Sequence, residues 1–246
     1  MLNTTYFKGF NKGIFLLLLL FNFSSFAQGP AVFTCDATAL YQTIKIEQDI
    51  AGVGSANDMI FYAVDPSTGE FQFVGNLSVD DDGAGNEDIA IPGSINSIGF
   101  NPIDGFIYGI NPNTVELYRI SPNGFVQSLG NITGPLASAN GGKQAGVFDE
   151  NGIYYVSGGV QKLYSIDLSS NPQPGDPLPS TFLFDTNKNT SDIAINPLNN
   201  LMYGWDQANN KRQLFTINLD TGDINVIGPP DGTSQYRIFG ALYFTA

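Results

Sequence analysis

The chain has no histidine, and Cys35 is its only cysteine. Histidine is the usual general base near neutral pH and the commonest metal ligand, so its absence removes His-based hydrolytic triads and ordinary zinc sites. A lone thiol closes no intrachain disulfide, which excludes a disulfide-stapled fold. Burial as a small hydrophobe is the reading favoured for Cys35, with pairing between chains as the alternative. Positive charge is scarce: 10 basic residues face 23 acidic ones, a net charge of −13. Such a surface repels phosphate backbones and anionic headgroups, so nucleic acid and charged lipid are not expected partners.

Long apolar runs are equally scarce. The longest, Gly13 to Phe21, has nine residues, well under the roughly 20 needed to span a bilayer. Lys8 and Lys12 precede it, and Ser25-Phe26-Ala27 places small residues at −3 and −1 of a cleavage site. These are the parts of a secretory signal peptide over residues 1–27, with Gln28 as the expected mature N-terminus. Cleavage removes two lysines and no acid, leaving 8 basic residues against 23 acidic. The expected location is secreted or cell surface, with no transmembrane segment in the mature chain.

What the sequence does contain is a repeat. Ile98-Gly99-Phe100, Ala145-Gly146-Val147, Ile193-Ala194-Ile195 and Gly240-Ala241-Leu242 recur 47 or 48 residues apart, each centred on Gly or Ala. A period of roughly 40 to 50 residues is the length of one four-stranded propeller blade. After each of the first three copies comes an aromatic strand: Phe106 to Ile110, Ile153 to Ser157, and Leu201 to Trp205. A third strand follows, Leu117 to Ile120, Leu163 to Ile166 and Leu214 to Ile217, whose period of two predicts half-burial. Turns rich in Asp, Asn, Pro and Gly lead to a fourth strand at Phe125 to Leu129 and Ile224 to Ile227.

The N-terminal part supplies the later strands of the same unit: Ala39 to Ile46, Ile60 to Val64 with the turn Asp65-Pro66-Ser67-Thr68-Gly69, then Phe71 to Val74. Its first strand is expected at the other end of the chain, Gly240 to Phe244. The expected fold is therefore an all-β, four-bladed propeller in one domain over residues 28–246. Blade 1 is divided between 31–80 and 237–246, and the others cover about 95–135, 142–186 and 190–230. Pairing of the last strand with the N-terminal blade would close the ring and remove an open edge. Ala51-Gly52-Val53 also fits the spacing, but it leaves no room for a second strand before Gly69 and reads as coincidence.

Two places fall outside the repeat. The acidic stretch Asp80 to Asp88 offers Asp80, Asp82, Glu87 and Asp88 as oxygen ligands, which makes Ca²⁺ the candidate cofactor, although an EF-hand register fails at Ser78 and Ile89. The plainer reading is a solvated acidic loop. Trp205 with Asp206 at a strand end is the candidate ligand contact, whereas the tyrosines that recur in every unit are expected to pack between blades.

The segment Asn96 to Ile110, NSIGFNPIDGFIYGI, together with Phe33-Thr34-Cys35 and the Asp65 to Gly69 turn, resembles a propeller-like domain of unknown function found in secreted bacterial surface proteins. That resemblance implies an exported module and transfers no catalytic residue. The residues favour a non-enzymatic binding or scaffold module, expected to be a monomer, with an extracellular protein or a glycan as partner. The alternative is a calcium-assisted propeller hydrolase or lyase using carboxylates near the central axis.

Overall fold

Four antiparallel sheets make up the protein, each a blade of a β-propeller. The computed structural model describes residues 33, 40–78, 89–158, 161–206 and 212–231, all within one compact unit, Val32–Ala246. The expected signal peptide, Cys35, the acidic stretch 80–88 and the closing strand Gly240 to Phe244 lie outside the described residues.

Blade 1 has three described strands, β1 (Leu40–Lys45), β2 (Met59–Val64) and β3 (Phe71–Asn76), in that order. Blade 2 is β4 (Asn96–Asn101), β5 (Phe106–Ile110), β6 (Glu116–Ile120) and β7 (Val126–Asn131). Blade 3 is β8 (Lys143–Phe148), β9 (Ile153–Gly158), β10 (Lys162–Asp167) and β11 (Ser180–Asp185). Blade 4 is β12 (Thr190–Asn196), β13 (Leu201–Asp206), β14 (Arg212–Asn218) and β15 (Ile224–Asp231). The first three strands of blades 2, 3 and 4 fall where the repeat places them, as do the three described strands of blade 1. β11 was not legible in the pattern, because the Pro- and Gly-rich connection from Leu168 to Pro179 lengthens the turn before it. Gly52 sits in a tight turn closed by the Ile50–Gly54 bridge, which agrees with its spacing being a coincidence.

The seams between blades 1 and 2, 2 and 3, and 3 and 4 are apolar layers. Phe61 and Leu77 of blade 1 meet Ile107, Tyr118 and Val126 of blade 2. Tyr108 and Leu117 of blade 2 meet Phe148, Tyr154 and Tyr164 of blade 3. Ala145 and Leu163 of blade 3 meet Ile193, Met202 and Phe215 of blade 4. Blades 2 and 3 are thus covered on both faces, which corrects the expectation of half-burial for β6. Leu117, Tyr118, Arg119 and Ile120 are all buried, although they alternate in sequence. Burial of each large side chain contributes about 1.5–3 kcal/mol, so the seams are the main source of cohesion.

The innermost strands β4, β8 and β12 lie side by side, and their small central residues set how closely. A Cβ on Gly146 would collide with the Ser97 carbonyl and stand 2.7 Å from the Tyr154 hydroxyl. That hydroxyl donates to the same Ser97 carbonyl oxygen, linking blade 3 to blade 2 inside the core. Gly99 makes a gentler contact, its Cβ position lying 3.1 Å from the Phe148 ring.

At the opposite ends of the strands, carboxylates and amides fold the turns. Asp65 Oδ1 accepts from the Ser67 amide at 2.7 Å and its hydroxyl at 2.6 Å, and Asp167 Oδ1 does the same for Ser169. Both carboxyls are held below the usual Asp value, chiefly by the serine hydroxyls. In blades 2, 3 and 4 one tyrosine also reaches such a turn. The Tyr108 hydroxyl donates to Asp104, and Asn199 Nδ2 donates to the Tyr203 hydroxyl at 3.2 Å. Burial and Asp149 push the Tyr155 hydroxyl up to about 12.

Gly146→Ala is expected to lower stability by about 1–3 kcal/mol, the cost of overpacking a closed contact, and Gly99→Ala by less, in urea unfolding. A second expectation concerns alkali. Burial raises the folded-state pKa of Tyr108, Tyr118, Tyr154 and Tyr155, so their contribution is intact below the ordinary tyrosine value of about 10 and is lost as pH rises through the folded values. In a pH titration their tyrosinate absorbance should therefore appear together with loss of the β-sheet circular dichroism signal.

Candidate functional site

Strand direction sorts the connections between the two ends of the propeller. The upper end is where β4, β8 and β12 begin and where β5, β9 and β13 finish; the lower end carries the Asx turns described above. All four described lysines, Lys45, Lys143, Lys162 and Lys188, lie at or beside the upper ends of their strands. Asp65, Asp104, Asp149, Asp167 and Asp220 lie at the lower end. The upper-end lysines are interspersed with carboxylates, among them Asp58, Glu116, Asp185 and Asp206, so cations and acids are mixed at that end.

Two pockets open at the upper end around blade 3, one on each side of the loop from Gly134 to Gly142. The inner one, about 320 Å³, is lined by Gln144, Ser157, Gln161, Asn189 and Thr190 with glycine backbone at 141, 142 and 158. None of these side chains titrates. Amides and hydroxyls each offer both donors and acceptors, which suits a neutral ligand rich in polar groups. The outer pocket, about 390 Å³, lies between Pro135, Ser138 and Asn140 of the loop and Lys162, Tyr164 and Phe182 of β10 and β11.

The dividing loop is firmly held. The Leu136 amide donates to Ser180 Oγ at 3.0 Å, the Ser180 hydroxyl donates to the Thr133 carbonyl at 2.6 Å, and Leu136 is fully buried. Lys143, 4% exposed, donates from Nζ to the Ala139 carbonyl at 3.2 Å, and burial pushes its ammonium pKa down.

Asp206, a candidate from the sequence, braces the segment that forms one wall of the inner pocket. Its Oδ2 lies 3.2 Å from Lys188 Nζ, and its Oδ1 accepts from the Asn189 amide at 3.1 Å. Lys188 Nζ also lies 5.9 Å from the centre of the Phe215 ring. The carboxylate thereby fixes the Lys188 to Thr190 segment, two of whose residues face the pocket. Trp205 is half-buried opposite Leu214. As neighbours on one strand, Trp205 and Asp206 point to opposite faces of β13. Asp80, Asp82, Glu87 and Asp88 lie outside the described residues. Among the described residues, no group of three or more Cys, Asp or Glu side chains is placed to hold a metal ion. The described inner strands carry one carboxylate, Asp192, whose Oδ1 accepts from the Ile193 amide at 2.9 Å.

Arg119 acquires a role that sequence alone did not suggest. Its guanidinium donates to Gln127 at 2.6 Å within blade 2 and to Asn171 and Gln173 of blade 3 at 2.9 and 3.3 Å, and it lies 5.1 Å from the centre of the Phe106 ring. These three partners are neutral amides, and Tyr108 and Asp104 also interact with the group, so it braces the seam through directional hydrogen bonds with electrostatic support. The only hint was a cation in the middle of a buried-strand pattern.

The profile of a family described as a repeat of unknown function (DUF6923) matches residues 84–246. No protein of curated function matches the sequence. Among solved structures, a chain of a nidogen/laminin complex is 14% identical with a TM-score of 0.49, over 72% of this chain and 59% of that one. A Lactobacillus plantarum protein is 12% identical with a TM-score of 0.45, over 76% and 55%. A putative 6-phosphogluconolactonase from Bacteroides uniformis is 15% identical with a TM-score of 0.46, over 79% and 52%. The chain thus spans less than two thirds of the length of each. Among the described residues no helix is long and apolar enough to cross a membrane.

Replacing Asp206 by Ala should cost about 1.5–3 kcal/mol in thermal or urea unfolding, because it strips a charged hydrogen-bond acceptor from Lys188 and the Asn189 amide. Asp206→Asn, which keeps an acceptor, should cost less.

Proposed function

We propose that this chain, which belongs to the family of the repeat of unknown function (DUF6923), is an exported, non-enzymatic binding or scaffold module of the bacterial cell surface or extracellular space. The observation that carries this reading is the inner pocket. Its lining side chains, Gln144, Ser157, Gln161, Asn189 and Thr190, are non-ionisable hydrogen-bonding groups, and the adjacent carboxylate of Asp206 is engaged by Lys188 and the Asn189 amide. Such a lining recognises by hydrogen bonds and presents no acid, base or nucleophile of perturbed pKa. Export rests on Lys8, Lys12, the apolar run to Phe21 and Ser25-Phe26-Ala27. The partner on this reading is an extracellular glycan or protein that approaches the upper end.

Mass spectrometry of the protein recovered from its native host should find a mature N-terminus at Gln28, in the medium or on the cell surface. Recovery from the cytoplasm with Met1 to Ala27 intact would defeat export. In parallel, the purified protein should be retained on isolated cell-envelope or extracellular polymer fractions, and Gln144→Ala with Asn189→Ala should weaken that retention. Retention unchanged by both substitutions would defeat the inner pocket as the site.

A further inference from the structure

The outer pocket carries a feature the inner one lacks, an exposed aromatic face. Phe182 on β11 is 40% exposed. Tyr164 packs against it edge to face at 5.8 Å and 64°, and Lys162 Nζ lies 5.5 Å from its ring centre. The equivalent pair in blade 1, Tyr62 and Phe73, has nearly the same geometry at 5.9 Å and 69°, so the pair by itself is a cross-strand contact of the fold. In blade 3 it faces a second wall, Pro135, Ser138 and Asn140.

We propose that this groove binds a neutral sugar ring of an extracellular glycan, with Phe182 as the stacking platform and Asn140 and Ser138 as hydrogen-bonding contacts. The assignment rests on the binding-module reading and names its ligand class. A pyranose has an apolar C–H face and a rim of hydroxyls, so it calls for an aromatic surface on one side and groups that both donate and accept on the other. The groove supplies both from opposite walls. Its volume, about 390 Å³, is within the range of small-ligand sites, which runs from about 300 to 1,000 Å³.

Charge favours a neutral ligand over an ionic one. The cation in the lining, Lys162, lies 3.9 Å from Asp185, so an anionic ligand would compete with a carboxylate already in place. A cationic ligand would meet Lys162 directly. The loop wall is ordered before any ligand arrives, since Leu136 is held by Ser180 and Ala139 by Lys143. Binding therefore need not bear the cost of ordering that loop, which matters for a ligand that brings a shallow contact area.

The test is titration calorimetry with saturation-transfer NMR on the full chain, using maltose, cellobiose and chitobiose as probes. Saturable binding of at least one is expected, with ring C–H protons the most strongly saturated. Phe182→Ala should weaken it by about three- to tenfold, the worth of one aromatic contact, and Asn140→Ala should weaken it as well. Both residues are exposed, so melting temperatures should stay close to that of the parent and separate lost binding from lost folding. No binding of any probe, binding that both variants leave unchanged, or displacement of the sugar by a proline-rich peptide bound with higher affinity would each overturn the assignment. A probe lost in Gln144→Ala but not in Phe182→Ala would overturn the groove while leaving the inner-pocket reading intact.

Discussion

The hydroxyl of Tyr154 and the carbonyl of Ser97, closed over Gly146, form the contact on which the packing of blades 2 and 3 depends. Ser97 is buried with φ at 54°, and Tyr154 is buried completely. A propeller must bring the inner edges of its sheets together, yet a buried carbonyl needs a donor. Glycine supplies the space and the tyrosine supplies the donor. Side chains further out can then fill the widening seams, which is why Phe148 stacks on Tyr154 at 4.5 Å and Tyr108 packs beside it at 5.2 Å.

The two pockets arise where the regular blade is interrupted. In blade 3 the connection into β8 runs through Gly134, Pro135 and the glycines at 141 and 142, and the connection into β11 runs through Pro172, Pro174 and Pro177. The first of these segments cannot extend a strand, so it folds over the sheet end and separates the two pockets, while the second carries the Asn171 and Gln173 that meet Arg119. The same interruption anchors the first segment: Ser180, at the start of β11, bonds to Thr133 and Leu136. The irregular residues that shape the pocket loop are thus also the ones that hold it in place.

Legibility followed periodicity. The positions of β4, β5, β6, β8, β9, β10, β12, β13 and β14 could be read because Gly-centred, aromatic and alternating strands recur at constant spacing. β11 was missed because twelve residues of connection hid a short strand whose own alternation, Thr181 to Phe184, has no counterpart in β7. Half-burial of β6 was a wrong inference from a correct pattern. Alternation shows that two faces differ, but not that one of them meets water, and in a propeller the second face meets the next blade. Asp206 and Arg119 were visible as charged residues in strands, while their partners stand 18 and about 52 residues away.

By itself the sequence determined the repeat length, the number of blades and the aromatic or small character of each strand, because these depend on neighbours within one unit. The tertiary structure alone decided that Asp206 would brace a pocket wall, that Arg119 would brace a seam with amides, and that Phe182 would face Asn140 across a groove. Each of these joins residues from different strands or blades. Their separation in space follows from how sheets stack around the axis, which no local pattern of residues encodes.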